Sequence, residues 1–337
     1  MAEVARADAN TARMRVMVLG EDAIRRLLPM VDCMQAMERA FRAADAGNYV
    51  QPQRIIAWQP DHRGAVAAMP AYLDGVLGAK LITVFPHNRS EGLESHQGLV
   101  ALHEAQNGRL LAIANAGTIT AIRTAAVSAL ATRLLAREDA CDLALLGSGV
   151  QADEHLRAMS AVRALRRVRV WSRTAAHAQE FAQRHTGDTL TVTACETVEE
   201  AVRDAGIVCT LTAATAPILQ GGWLARGAHV NAVGSSVPPF RELDTTTVTR
   251  ARVYVDMREC VLRESDDLRE PIREGAFHES DIAGELSEMV SGKCALRTAD
   301  DQITLFKSVG MAIEDIAAIR LAYERAGATN AGAYVEI

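Results

Sequence analysis

Apolar and polar positions along this chain follow two rhythms in turn. From residue 20 to residue 46, charged and apolar side chains alternate at helical spacing, which predicts two helices parted by Pro29 and stopped at Gly47. The runs RIIAWQ, AVAAMPAYL, LGAKLITVF, GLVALHEA and RLLAIANAG come next, with turn residues between them, and predict antiparallel strands. Asn107-Gly108 is a strong hairpin signal within that series. The segment TAIRTAAVSALATRLLARED then predicts a long Ala/Leu helix.

Beyond that helix the rhythm becomes strand, helix, strand, helix. Strands are predicted at about 142–147, 167–172, 189–194, 206–210, 228–233 and 252–256, with helices at about 150–163, 175–185 and 197–204. Such alternation implies a parallel sheet covered by helices on both faces. After Pro271 the pattern is irregular, until SVGMAIEDIAAIRLAYERAG predicts a final amphipathic helix with Ile313, Ile316, Ala317 and Leu321 on one face. The expected fold class is α/β, a Rossmann-type doubly wound parallel sheet inserted into a second, α+β domain. Residues 126–309 would form the doubly wound domain; residues 1–125, completed by 310–337, would form the α+β domain.

Composition narrows the class. The chain has 337 residues, 49% hydrophobic and 23% charged, enough to bury a substantial core. A net charge of -6 argues against a nucleic-acid surface. Six scattered cysteines without a C-x-x-C pair predict free thiols, a reducing cytoplasm and no zinc site. No apolar run approaches the roughly 18 residues that span a bilayer. The first dozen residues, MAEVARADANTA, lack the apolar centre of a secretory signal and read as a loose tail. Only three of the 36 basic residues are lysines: Lys80, Lys293 and Lys307. Lys80 and Lys307 lie within apolar segments. Each is either a snorkelling side chain at a strand edge or a site that needs a compact ammonium of tunable pKa.

The clearest chemical motif is Gly147-Ser148-Gly149-Val150-Gln151-Ala152, placed after a strand and at the start of a helix. Gly147 would allow the tight turn, Gly149 the close approach of a pyrophosphate, and Ala152 close helix–strand packing. The helix N-terminus adds N–H donors for the anion. The next strand ends in Trp171-Ser172-Arg173-Thr174, where NAD-binding folds usually carry an acid for the ribose hydroxyls. A hydroxyl and a guanidinium suit a 2′-phosphate, so NADP is favoured over NAD; arginine stacked on adenine is the alternative. Two histidines, His96 and His103, flank a predicted strand and read as structural.

The segments ITAIRTAAVSA, LLGSGVQA, VNAVGSS.PPFRELD and GELSEMVSGK...ITLFKSVGMAIEDIA fall in an order and spacing that resembles the ornithine cyclodeaminase/mu-crystallin family, from about residue 20 to residue 327. The resemblance implies a homodimer joined through the non-nucleotide domains, and an NAD(P)-dependent reaction at a carbon bearing nitrogen and a carboxylate. By the same resemblance Arg54 matches a substrate-carboxylate arginine, Lys80 the lysine beside the reacting carbon, and Arg123 the arginine between substrate and nicotinamide. Thr124 lies near the phosphates, Val233, Gly234 and Ser235 match the family's cofactor loop, and Lys307 with Ser308 matches the FKS that closes over the cofactor. Physical chemistry agrees: a carboxylate taken out of water needs bidentate partners. A lysine among arginines and apolar walls would have a lowered pKa and exchange a proton with an imine nitrogen. A surface ion pair is the plainer role for each arginine.

Two departures bear on the substrate. Ornithine cyclodeaminases carry an aspartate just after the VG of the fifth Rossmann strand, and Ser236 stands there in this chain. Asn115-Ala116-Gly117 replaces a frequent acid and glycine before ITA. Both remove negative charge, so an imino or amino acid without a second cationic amine is expected. Arg241 is a candidate partner for a second carboxylate. Three classes stay open: an oxidoreductase of a small imino or amino acid (ketimine or iminosuccinate reductase, or a dehydrogenase such as alanine dehydrogenase), an ornithine cyclodeaminase-type lyase, and a crystallin-like binding protein without chemistry.

Overall fold

The computed structural model describes residues 14–329 and 331–337; the expected N-terminal tail lies outside the described residues. The chain opens with β1 (Arg15–Leu19), α1 (Glu21–Leu27) and α2 (Met30–Asp45). Pro29 directly precedes α2, and Gly47, at φ 78°, lies just past its end. Six strands come next: β2 (Tyr49–Val50), β3 (Ile55–Trp58), β4 (Ala65–Leu73), β5 (Val76–Val84), β6 (His96–Glu104) and β7 (Leu110–Asn115). Helix α3 (Ala116–Leu135) follows, N-capped by Asn115, whose side chain accepts from Thr118 N at 2.8 Å. Asn115 therefore has a local task that needs no charge.

The second half alternates as expected: β8 (Asp142–Leu146), α4 (Val150–Val162), β9 (Arg167–Trp171), α5 (Ala175–His185), β10 (Thr191–Ala194), α6 (Val198–Val202), β11 (Ile207–Thr210) and β12 (His229–Ala232). Then come α7 (Thr245–Arg250), β13 (Ala251–Val255), α8 (Arg258–Glu264), α9 (Asp266–Arg273), β14 (Ile282–Glu285), α10 (Leu286–Val290) and β15 (Ile303–Lys307). The chain closes with α11 (Ala312–Thr329) and β16 (Ala333–Glu336).

Two eight-stranded sheets result. The first has the order β16-β1-β7-β6-β5-β4-β2, with β3 also on β4, and is antiparallel except for β1 beside β7. The second, β10-β9-β8-β11-β12-β15-β13-β14, is parallel throughout. Its reversal of strand order between β8 and β11 creates the crevice where open α/β sheets bind ligands.

Five strands lie outside the expected pattern: β1, β2, β14, β15 and β16. The irregular stretch after Pro271 contains β14 and β15, and β15 sits inside the parallel sheet between β12 and β13. Strand β1, absent from the expected set, pairs with both β7 and the C-terminal β16. Helix α11 packs on α2, α3, β4, β5 and β6, beside the first sheet. Helix α3 runs unbroken through residue 125, touching β6 at one side and β12 and β15 at another. One apolar core, from Met17 and Phe41 through Leu130 to Phe181, is continuous across both sheets.

Candidate active site

The turn after β8 has the geometry that its glycines suggest. Gly147 has φ 124°, and a Cβ there would lie 2.7 Å from Leu211 O. Its N–H donates to Trp171 O at 2.8 Å, tying the turn to the end of β9. Gly149 is the N-cap of α4 and no side chain caps that helix, so first-turn N–H groups remain for an anion. Ala152 is fully buried against the sheet. An open gap of about 340 Å³ separates Ser148, Gly149 and Val150 from residues 92–94. Beside it Gln151 carries a buried Oε1 without a hydrogen-bond partner. These features fit a dinucleotide pyrophosphate, with Gly147, Gly149, Val150 and Gln151 as the cradle. Ser172 is half-buried and Arg173 and Thr174 are exposed just after β9. No described side chain engages the Arg173 guanidinium.

A second feature lies at the same, carboxyl-terminal edge of the parallel sheet. Lys80 alternates inward along β5 and faces the same buried side as Met69, its cross-strand partner. It is 4% exposed, and its Nζ lies 2.8 Å from Asp315 Oδ2 and donates to Thr120 Oγ1 at 3.4 Å. Arg123, from α3, reaches the same helix: Nε donates to Asp315 Oδ1 at 2.9 Å and Nη1 to Glu314 Oε2 at 2.5 Å. Arg54 donates from Nη2 to Gly310 O at 2.7 Å and Val309 O at 3.2 Å, and pairs with Glu264 at 2.9 Å. A small cleft opens beside Arg54, lined by Gln51, Met69, Met257, Cys260 and Ala312.

Burial sets the protonation states here. It pulls Lys80 down to about 8, a fall that Asp315 limits and Arg123 and Arg54 deepen. Burial alone would raise Asp315, yet Arg123 and Lys80 hold it below the ordinary carboxylate value. Glu314 is pushed up to about 7 by burial, against the pull of Arg123. Burial also opposes the charge of Arg123, but Asp315 and Glu314 outweigh it and raise its pKa. Burial and the neighbouring guanidinium groups thus leave Lys80 an ammonium of lowered pKa, held against the Asp315 carboxylate.

The sequence motifs place the remaining candidates nearby, with two corrections. The Lys307 side chain does not close over a cofactor: it is wholly buried, with Nζ 3.1 Å from Asp267 Oδ2. An unpaired buried ammonium would be costly, and Asp267 supplies its counter-charge. Ser235 is likewise buried, its hydroxyl donating to Phe240 O. Val233 and Gly234 stay at the crevice; Gly234 N donates to Glu242 at 2.8 Å, and a Cβ at Gly234 would meet Thr212 O at 2.1 Å. Thr124 is half-buried next to Arg123, and Ser308 is nearly buried after β15, its N–H bonded to Ala232 O. Arg241 donates from Nε to Leu243 O at 3.0 Å and from Nη2 to Thr245 Oγ1 at 2.9 Å, and its Nη1 lies 3.8 Å from Glu274. His103 Nδ1 bonds Gly108 O at 3.0 Å within its hairpin, a structural role. Sequence reasoning missed Glu314, Asp315, Glu264 and Asp256. The adjacent acids of MAIEDIAAI, set in an otherwise apolar run, were the available signal.

A dinucleotide crevice facing a buried lysine–arginine–carboxylate cluster defines a cofactor-dependent protein with a site for small anionic ligands. The chain belongs to the ornithine cyclodeaminase/mu-crystallin family, whose sequence model matches residues 14–330. It is 40% identical to the ketimine reductase mu-crystallin of Mus musculus, over 90% of this chain and 94% of that protein. Among solved structures it resembles the Thermococcus litoralis Delta(1)-pyrroline-2-carboxylate reductase in complex with NADH and L-proline, with TM-score 0.92 and 35% identity over 95% of this chain and all (100%) of the other. An archaeal alanine dehydrogenase dimer with bound NAD gives TM-score 0.91 and 28% identity, over 96% of this chain and 100% of that one. Its placement within the family is the imine-reductase branch.

Proposed function

We propose that this protein reduces a small cyclic α-imino carboxylate, such as Δ1-pyrroline-2-carboxylate, to the corresponding amino acid. It is an NAD(P)H-dependent oxidoreductase acting on C=N groups. The observation that carries the substrate reading is the buried Lys80 ammonium held beside Arg54 and Arg123 at the carboxyl-terminal edge of the nucleotide sheet.

When bound, the reduced nicotinamide supplies the hydride. The chain's own residues do the rest. Arg54 and Arg123 hold the substrate carboxylate, with charge-assisted bonds strengthened by exclusion of water. Lys80 gives a proton to the imine nitrogen, which increases the electrophilic character of the adjacent carbon. Asp315 keeps Lys80 protonated and aimed. The Met69, Met257 and Ala312 walls take the apolar ring. Gly147, Gly149, Val150 and Gln151 cradle the pyrophosphate, and Arg173 takes the 2′-phosphate of NADP in preference to NAD.

Three further features belong to this reading. Ile55, Leu81 and Leu99 are 67%, 48% and 38% exposed and lie in one cross-strand row with Ala68. Such an outward apolar row suits a homodimer joined through the first sheet. The two-domain division, 126–309 set into 1–125 with 310–337, is retained as a proposal with α3 as the shared join. We also place the protein in the cytoplasm, where its free thiols would stay reduced.

One assay tests the reading: cofactor oxidation against cyclic ketimines, iminosuccinate, 2-oxo acids with ammonia, and ornithine. The expected result is stoichiometric NADPH oxidation with a cyclic ketimine, weaker activity with NADH, and no ammonia from ornithine, because Ser236 supplies no charge for a second amine. Ammonia from ornithine without net cofactor change would make the protein a lyase. Binding of ketimine without oxidation would make it a binding protein.

A further inference from the structure

The turn that follows β15 is held from three directions. Asp256, one residue past β13, accepts Val309 N at 2.7 Å and Gly310 N at 2.8 Å on one carboxylate oxygen. Its other oxygen accepts Met257 N at 2.8 Å. The carbonyls of the same two turn residues, Val309 and Gly310, accept from Arg54 Nη2. Gly310 has φ 80°, and a Cβ there would lie 2.7 Å from Arg123 Nη1. The two arginines therefore rest against one turn, and a fully buried carboxylate fixes that turn from behind.

We infer that Asp256 is a positioning residue for substrate: by fixing the Val309–Gly310 turn it sets where Arg54 and Arg123 stand. The inference rests on the reading that these arginines hold the substrate carboxylate. Asp256 touches neither arginine in this arrangement; it acts through two peptide N–H groups, and the peptide carbonyls transmit the constraint. Two guanidinium groups clamp a planar carboxylate only at a fixed separation, so a loosened turn degrades binding before it degrades chemistry. An asparagine at 256 keeps the volume but presents an NH2 group to one set of N–H donors, so one side of the anchorage is lost.

The test uses the full-length protein with Δ1-pyrroline-2-carboxylate and saturating NADPH. Asp256→Asn is expected to raise KM about 10-fold to 100-fold, the scale of loss for a small misplacement of binding groups. Turnover at saturation and the NADPH dissociation constant, read by fluorescence titration, should stay close to wild type. An unchanged KM overturns the inference, as does a KM change accompanied by an equal loss of NADPH affinity, which would mean general damage. If Asp256→Asn does not fold, Gly310→Ala tests the same turn, because at φ 80° a Cβ strains the turn that Asp256 holds and meets Arg123 Nη1; an unchanged KM there overturns the inference. Arg54→Met run in parallel separates the two layers. A raised KM for Arg54→Met beside an unchanged KM for Asp256→Asn sinks only the positioning role. An unchanged KM for Arg54→Met sinks the carboxylate reading and the inference with it.

Discussion

Replacing Lys80 by methionine should lower imine turnover by about 10²–10⁴-fold, the usual cost of losing a positioned acid, while the dinucleotide still binds. Imine reduction needs a hydride at carbon and a proton at nitrogen. Among the basic groups of the cluster, Lys80 alone is able to give up a proton, because guanidinium stays charged throughout the working range. Methionine keeps the bulk of the stem, so the Met69 side of the cleft is preserved. Wild-type kcat/KM should decline as pH rises through about 8, where the free ammonium loses its proton. Steady-state rates beside a fluorescence titration with NADPH check both statements. Near wild-type turnover in Lys80→Met would show that the proton comes from elsewhere.

Asp315→Asn should cost the most stability of any single change at the site. Asp315 is wholly buried and pairs with both Lys80 and Arg123. Removing one partner of a buried pair typically costs about 3–5 kcal/mol, since the remaining charge is stranded. The effect on protonation has a definite sign. Loss of the anion disfavours the Lys80 ammonium, so its pKa moves below the value of about 8 seen with Asp315 present. The basic limb of the activity profile then shifts to lower pH. Stability follows the same logic. A lysine whose folded pKa lies below its unfolded value binds fewer protons folded than unfolded between the two, so stability rises with pH across that window. The deficit of Asp315→Asn should therefore narrow as pH is raised past the shifted value. Urea unfolding at several pH values measures this. A variant as stable as wild type at neutral pH would contradict the buried-pair account.

The parts of the site written in local pattern were legible in the sequence. Lys80 stood out because it lies within an apolar run and because lysine is scarce in this chain. The Gly147–Gly149 turn was legible because strand, glycine and helix must occur in that order. Other features depend on distant partners. β15 is a five-residue strand buried throughout, and so short an apolar run carries no periodicity to separate strand from buried helix. Its neighbours β12 and β13 supply the identity. Lys307 entered as a cofactor contact through the resemblance of its FKS motif, and nothing nearby in sequence announces Asp267 as its counter-ion. Glu314 and Asp315 lie in the first turn of a helix that is otherwise apolar as far as Ile319, and acids on a helix ordinarily mark its solvent side. Here they face Lys80 and Arg123, whose positions on β5 and α3 only the assembled fold brings together.

The proposed function stands on hydride delivery to the imine carbon of an α-imino carboxylate, with the protein supplying the nitrogen's proton. The most direct measurement is mass spectrometry of the amino acid formed from Δ1-pyrroline-2-carboxylate and NADPH deuterated on the transferred face of the nicotinamide. The account predicts one deuterium at the α-carbon for each cofactor oxidised, and none at exchangeable positions after work-up in ordinary water. Product without deuterium at that carbon, or deuterium returned to the cofactor without net oxidation, would contradict it.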